Sequence, residues 1–200
     1  MIATMERHAV DALRAAAWIA GQQWNGKMQF ERKGETMVIA GTDGYVYAGI
    51  EADATFCGWD DGDVVALVAT KPFMRFCKLA YDWDRHNLNL SLTVVFSPAF
   101  STVTITIANR DGAPDALSMS LPTINERIHA EKFDDMPEGQ NEGHMAITSS
   151  TWRKIDKLVN TLSCPYDAWV LHDRGPLHAF DLTCKERRAR IIAMPTKEHE

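Results

Sequence analysis

The chain has 200 residues, 46% of them hydrophobic, and a formal net charge of −6. That length fills one large domain or two small ones around an ample core. The charge excludes a protein that coats nucleic acid with an overall basic surface, yet leaves room for a locally basic face.

The longest apolar runs, such as Val64 to Ala69, are far too short to span a bilayer. The Ala-rich stretch near the N-terminus carries Asp11 and Arg14 and makes a poor signal core. Cys57, Cys77, Cys164 and Cys184 show no C-x-x-C spacing, which reads as reduced thiols in a soluble, cytoplasmic protein.

In chain order, His8 to Gln22 reads as a helix, with Val10, Leu13, Ala17 and Ala20 at helical spacing and Gly21 near its end. Strands are expected at Lys27 to Arg32 and Thr36 to Ala40, joined by Lys33-Gly34-Glu35. The stretch "AGTDGYVYAGI" follows, residues 40 to 50. Gly44 tolerates positive φ and Asp43 bonds its own backbone, so Thr-Asp-Gly predicts a tight reversal or bulge. Val46 to Ile50 leaves it as a strand that continues towards Asp53.

After the acidic turn Asp60-Asp61-Gly62-Asp63 the pattern restarts. Val64 to Ala69 is a buried strand, Thr70 a helix cap and Lys71 to Asp82 a helix with Pro72 in its first turn. Leu88 to Phe96, Thr102 to Ala108 and Ala116 to Leu121 alternate as strands, punctuated by Ser97-Pro98 and Asn109-Arg110-Asp111-Gly112. Residues 125 to 143 lose periodicity and gather charge, Gly and Pro, as in "FDDMPEGQNEG", and read as a linker. A third start follows: strand Met145 to Thr148, Ser149 or Ser150 as cap, helix Thr151 to Leu162. Strands Asp167 to Leu171, Leu177 to Leu182 and Ala189 to Met194 close the chain. One strand–helix–strands unit is thus used three times, which divides the chain at 1–124, a linker at 125–143 and 144–200.

The three helices share a charge pattern. Arg7 and Arg14 lie seven apart in the first. Lys71, Arg75 and Lys78 stand opposite Phe73, Phe76 and Ala80 in the second. Arg153 and Lys157 stand opposite Ile155, Val159 and Leu162 in the third. Each helix lays an apolar stripe on a sheet and turns cations away from it, an arrangement suited to phosphate contact without sequence reading.

Several segments, in order along the chain, resemble bacterial DNA polymerase III beta sliding clamps. "VIAGTDGYVYAGI" looks like the clamp's TDG strand, although Tyr45, Val46 and Tyr47 stand where that family commonly has His, Arg and Leu. "GDVVALVATKPFMRFCKLA" resembles its strand–helix unit, "STVTITIANRDG" and "ALSMSLP" its next sheet, and "GPLHAFDLTCKERRARIIAMPT" its closing strands with their Met-Pro ending.

The resemblance implies an α+β clamp fold, with helices on one face of antiparallel sheets and lining a ring around duplex DNA. It places Arg7, Arg14, Lys71, Arg75, Lys78, Arg153 and Lys157 on that lining. It also implies an apolar groove for short motifs of polymerases, clamp loaders and other partners, with Thr42, Gly44, Tyr45, Val46 and Tyr47 as one wall. Ile192, Met194 and Pro195 form the other. Clamp rings hold twelve such units and this chain supplies three, so a homotetramer follows by count; a trimer or an open assembly also fits. A phage or plasmid replication system suits so compact a clamp.

No enzymatic role or cofactor is expected. Cys164, His172, His178 and Cys184 compose a candidate zinc set, but their spacing matches no familiar pattern. His172-Asp173 has no nucleophile in a suitable motif, and no glycine-rich phosphate loop is present. The tryptophans read as core and interface anchors, with Trp18 on the basic face of its helix. A non-ring protein that uses the same groove to bind or compete for clamp-binding motifs is the alternative from a different class.

Overall fold

Alanines decide how the first helix sits. In the computed structural model, which describes residues 1–24, 26–84, 90–109, 116–129, 147–162, 167–172 and 180–194, α1 (His8–Ala20) buries Ala9, Ala12, Ala15, Ala16, Ala17 and Ala20 with Val10, Leu13 and Ile19. Such small side chains let the helix backbone approach the sheet beneath it. Gly41 completes the fit, since a Cβ there would stand 2.1 Å from the Ala16 carbonyl oxygen. Gly41→Ala is therefore expected to lower stability by about 1–3 kcal/mol through overpacking, read as a drop in the urea midpoint. The helix ends at Gly21, short of Gln22, where the Gly21 N–H bonds the Ala17 carbonyl.

The strands are β1 (Ile2–Met5), β2 (Lys27–Lys33), β3 (Thr36–Thr42), β4 (Val46–Cys57) and β5 (Val64–Val68). After α2 (Lys71–Asp84) come β6 (Leu90–Ser97), β7 (Thr102–Asn109) and β8 (Ala116–Pro122). After α3 (Ser149–Leu162) come β9 (Val170–His172), β10 (Phe180–Cys184) and β11 (Ala189–Ala193). Thr70 caps α2 through its hydroxyl, 3.4 Å from the Phe73 N–H. At α3 the cap is Thr148, whose hydroxyl accepts the Thr151 N–H at 3.2 Å, so Ser149 and Ser150 already belong to the helix. β1 carries no sequence signal of its own; four residues are too few for alternation to stand out, although Ala3 and Met5 face inward. Of the strand expected at Met145 to Thr148, Met145 and Ala146 lie outside the described residues, and Ile147 and Thr148 are not in a strand.

Among the described residues all strand pairing is antiparallel. β5, β2, β3 and β4 are successive neighbours, and β4 then divides its free side between two partners. Residues 46–50 pair with β11, and residues 54–57 pair with β1. From β1 the order continues through β6, β7 and β8. The first two units exchange leading strands: β1, which precedes α1, pairs with β6, and β5, which precedes α2, pairs with β2. An approximate two-fold relation follows, since β1 also meets the end of β4 while Ala66 of β5 bridges Ile124 just beyond β8.

The helices pack on the sheets from one side. α1 touches β3 and β4 as well as α2 and α3, and α3 rests on β11 and β4. Phe30, Phe73, Met37, Ile39, Ile50, Leu67 and Leu92 are fully buried beneath them, and Ile155, Leu158, Leu162 and Ile191 of the third unit join the same apolar cluster. Away from the core, β7 and β8 carry a hydroxyl ladder, with Thr104 bonded to Ser120 and Thr106 to Ser118. No helix among the described residues is long and apolar enough to cross a membrane.

Candidate nucleic-acid interface and partner cleft

Where the three helices approach one another they leave a cleft of about 480 Å³ lined by Arg14, Trp18, Met74, Arg75, Cys77, Lys78, Lys157 and Thr161. Helical period explains the assortment. The stripes that bury Leu13, Phe73, Phe76 and Ile155 turn inward, and Arg14, Arg75, Lys78 and Lys157, one or two positions further on and so about 100–200° round the helix, rise at the rim. Four of the seven cations proposed from sequence therefore meet here, one from α1, two from α2 and one from α3. Lys71, at the first position of α2, and Arg153, on α3, are exposed but do not line the cleft. Arg7 is half-buried and immediately precedes α1. The cleft floor is apolar: Trp18 and Met74 border it, and burial pushes the Cys77 thiol up to about 12. A rim of cations over such a floor attracts anions without offering a nucleophile or an acid–base pair.

The Thr-Asp-Gly turn is held by a chain of hydrogen bonds through the Thr42 hydroxyl and the Asp43 carboxylate. Gly44 has φ of +92°, and its N–H donates to the Thr42 hydroxyl at 3.0 Å. That hydroxyl donates to the Val46 carbonyl at 2.9 Å. One carboxylate oxygen of Asp43 accepts the N–H groups of Tyr45 and Val46 at 2.9 and 2.8 Å. The other meets Lys154 Nζ of α3 at 2.5 Å, with the Asp43 side chain at 0% exposure. A turn that looks local in sequence is thus tied to the third unit. Lys154 was not among the sequence candidates, because nothing in its neighbourhood distinguishes it from its exposed neighbours Arg153 and Lys157.

The two segments proposed as opposite walls of a groove are instead hydrogen-bonded neighbours. Ile192 stands opposite Tyr47 and Ala193 opposite Val46 in the β4–β11 ladder, and the Met194 N–H donates to the Tyr45 carbonyl at 2.8 Å. Alternation separates the residues by face. Val46 is at 0% exposure in the main core, so it cannot serve as a wall. Tyr47 and Ile192 are buried on the other face with Val38, Ala40 and Ile128. Tyr45 is 60% exposed at the tip. Pro195 lies outside the described residues.

A cleft of about 290 Å³ does open beside this face, lined by Thr42, Gly44 and Met194 together with Lys27, Arg127, Ile128 and His129. The last three belong to the stretch expected to be a linker. Residues 126–129 fold back on β2: the Ile128 N–H donates to the Gln29 side chain at 2.7 Å, Arg127 meets Glu31 at 2.5 Å and Glu126 pairs with Lys27. The alternation of β2 puts Gln29 and Glu31 on its outer face, where both are buried and bonded to the returning segment.

Of the candidate zinc set, His172 bonds the Thr183 hydroxyl at 2.8 Å and Cys184 is buried, while Cys164 and His178 lie outside the described residues. Among the described residues no three metal-type ligands gather.

No protein-family model matches the sequence, and no curated protein matches it either. Solved structures do match. The DNA polymerase sliding clamp of Caulobacter crescentus is 8% identical, with a TM-score of 0.63, over 100% of this chain and 66% of that one. PCNA from Thermococcus kodakaraensis is 10% identical, with a TM-score of 0.59, over 98% of this chain and 100% of that one. A PCNA2–PCNA3 complex from Sulfolobus tokodaii matches at 10% identity and a TM-score of 0.53, over 99% and 100% of the two chains. The chain spans about two thirds of the length of the bacterial clamps it matches. With its antiparallel sheets, its helices on one side and its exchanged leading strands, this protein has the fold of the DNA sliding clamps.

Proposed function

We propose that the chain is a processivity clamp: a homo-oligomer, a tetramer by unit count, that encircles duplex DNA and tethers replication proteins. The observation that carries this reading is the convergence of Arg14, Arg75, Lys78 and Lys157, from three different helices, on one cleft of a protein whose net charge is −6. Overall acidity with cations gathered on the helical side suits a protein that holds DNA in one place only. The role needs no covalent chemistry and no cofactor. The replication machinery of a phage or plasmid, in the cytoplasm of its host, is the setting that suits it.

The test is topological. Assembled protein should stay on closed circular DNA at salt that strips it from the same DNA once linearised, and light scattering at micromolar concentration should give four copies. Equal loss from circle and line would favour the non-ring alternative, a protein that binds or competes for clamp-binding motifs.

The cleft beside the TDG turn is assigned to partner peptides of the polymerase and loader. Thr42, Gly44 and Met194 border it, Tyr45 flanks its mouth, and Tyr47 and Ile192 support it from beneath. A few apolar anchors dominate such sites. Met194→Ala should therefore weaken a polymerase-derived peptide by about 1–3 kcal/mol while DNA retention is unchanged. Unaltered affinity in a calorimetric titration would remove Met194 from the site.

A further inference from the structure

We infer that a second copy of this chain completes the third unit about a two-fold axis, so that copies meet like surface to like surface and the assembly has no head and tail. The inference rests on the ring reading above and concerns how its copies join.

Two kinds of junction exist within the chain. At the exchange junction, between the first and second units, α1 touches α2 and each unit lends its leading strand to the other's sheet. At the edge junction, between the first and third units, the bare side of β4 pairs with β11. The first unit uses both kinds. The second has used its exchange junction, and among the described residues the outer side of β8 pairs with no strand. The third has used its edge junction, and among the described residues the outer side of β9 pairs with no strand.

The surfaces left over are therefore unlike each other. One is a sheet edge. The other is a sheet edge that expects a leading strand, together with the shoulder of a helix that expects another helix. A head-to-tail contact would press these two against each other, whereas two-fold contacts pair each with its own kind. An unpaired edge is a template for strand addition, and both leftover edges are of that sort.

Side chains on the third unit mark what is missing. Met74 is the fourth residue of α2 and packs against the C-terminal end of α1, where a Cβ on Gly21 would meet its sulfur at 2.6 Å. The fourth residue of α3 is Trp152, which is 53% exposed and seated edge-on against Phe180 at 5.7 Å. Val170 and Leu171 on β9 are also about half exposed, at 53% and 50%. At about 100° per residue, Trp152, Asp156 and Val159 share one shoulder of α3, opposite the shoulder that carries Lys154 and Thr161 towards Asp43 and the helix cleft. A second α3, antiparallel to the first, places its own Trp152 at the far end of that shoulder and crosses near Asp156. The junction then repeats what α1 and α2 already make. Copies joined this way are even in number, and clefts beside the TDG turn face both sides of the ring alike.

A residue beside a two-fold axis meets its own copy. In a chain carrying Cys57→Ser and Cys164→Ser, the single change Asp156→Cys should therefore give covalent dimers with a short bismaleimide, seen on a denaturing gel. Trp152→Glu should halve the native mass by light scattering, leaving pairs joined through β8. Should that variant fail to fold, the crosslink decides alone. An assembly without self-crosslinking, a native mass unmoved by Trp152→Glu, or a trimer overturns the two-fold junction and leaves the ring standing. A monomer at all concentrations overturns both.

Discussion

Lys154→Met is expected to lower stability by about 3 kcal/mol, far more than a lysine on a helix shoulder normally carries. The reason is the state in which it leaves Asp43. That carboxylate has no exposed side-chain surface, and Lys154 supplies its opposing charge. Removing the ammonium leaves a buried anion that still holds the N–H groups of Tyr45 and Val46 but has lost its partner on the other oxygen. A buried ion pair broken from one side is strongly destabilising, while removing both charges is much milder. The double change Asp43→Asn with Lys154→Met should therefore recover a substantial part of the loss, because the amide oxygen still accepts the turn's N–H groups. Urea denaturation of both single variants and the double variant gives the coupling directly. Additive losses would mean that the pair does not join α3 to the turn.

The consequence reaches function because the same turn holds the end of β11 through the Tyr45 carbonyl and Met194. Lys154 stands on the helix that carries Lys157 into the cationic cleft. A chain of direct contacts thus runs from the proposed DNA side, through Lys154 and Asp43, to the proposed peptide cleft. The Lys154→Met variant should bind a partner peptide more weakly than wild type even under conditions where it remains folded.

Replacing Arg14, Arg75, Lys78 and Lys157 together by glutamine should flatten the dependence of log affinity on log salt by roughly 3–4 for duplex DNA, at about 0.9 per lost phosphate contact. Retention on circular DNA should fall steeply at physiological salt, without preference for any sequence, since phosphate contacts carry no base information. Arg75→Gln with Lys78→Gln alone should give about half the change in slope. Both side chains are exposed at the rim, so the fold should survive, with unchanged far-UV dichroism as the check. An unchanged slope in the fourfold variant would take DNA away from this cleft. Adding Arg153→Gln then asks whether the exposed cations outside the cleft contribute as well.

The sequence by itself determined what depends on near neighbours. Period-3.6 stripes placed α2 and α3 to within two residues, because an amphipathic helix must show its buried face at every turn. Thr70 marked a helix start and Asp43-Gly44 a reversal, since capping and positive φ are chemistry of a few adjacent atoms. The cations on each helix were legible for the same reason.

Tertiary structure alone decided which strands meet. Alternation says which side of a strand is buried and nothing about its neighbour, so β1 joining β6, β5 joining β2, and β11 joining β4 are absent from any local pattern. The same applies to Lys154 and Asp43, 111 positions apart, and to Glu126–His129, whose charge and lack of periodicity looked like a free linker. Those residues are held by Lys27, Gln29 and Glu31, nearly a hundred positions earlier. Val46 was assigned to a groove wall by position in a motif, and the parity of the β4–β11 register put it in the core instead. A one-residue difference in register moves a side chain to the opposite face, and register is fixed by the whole sheet.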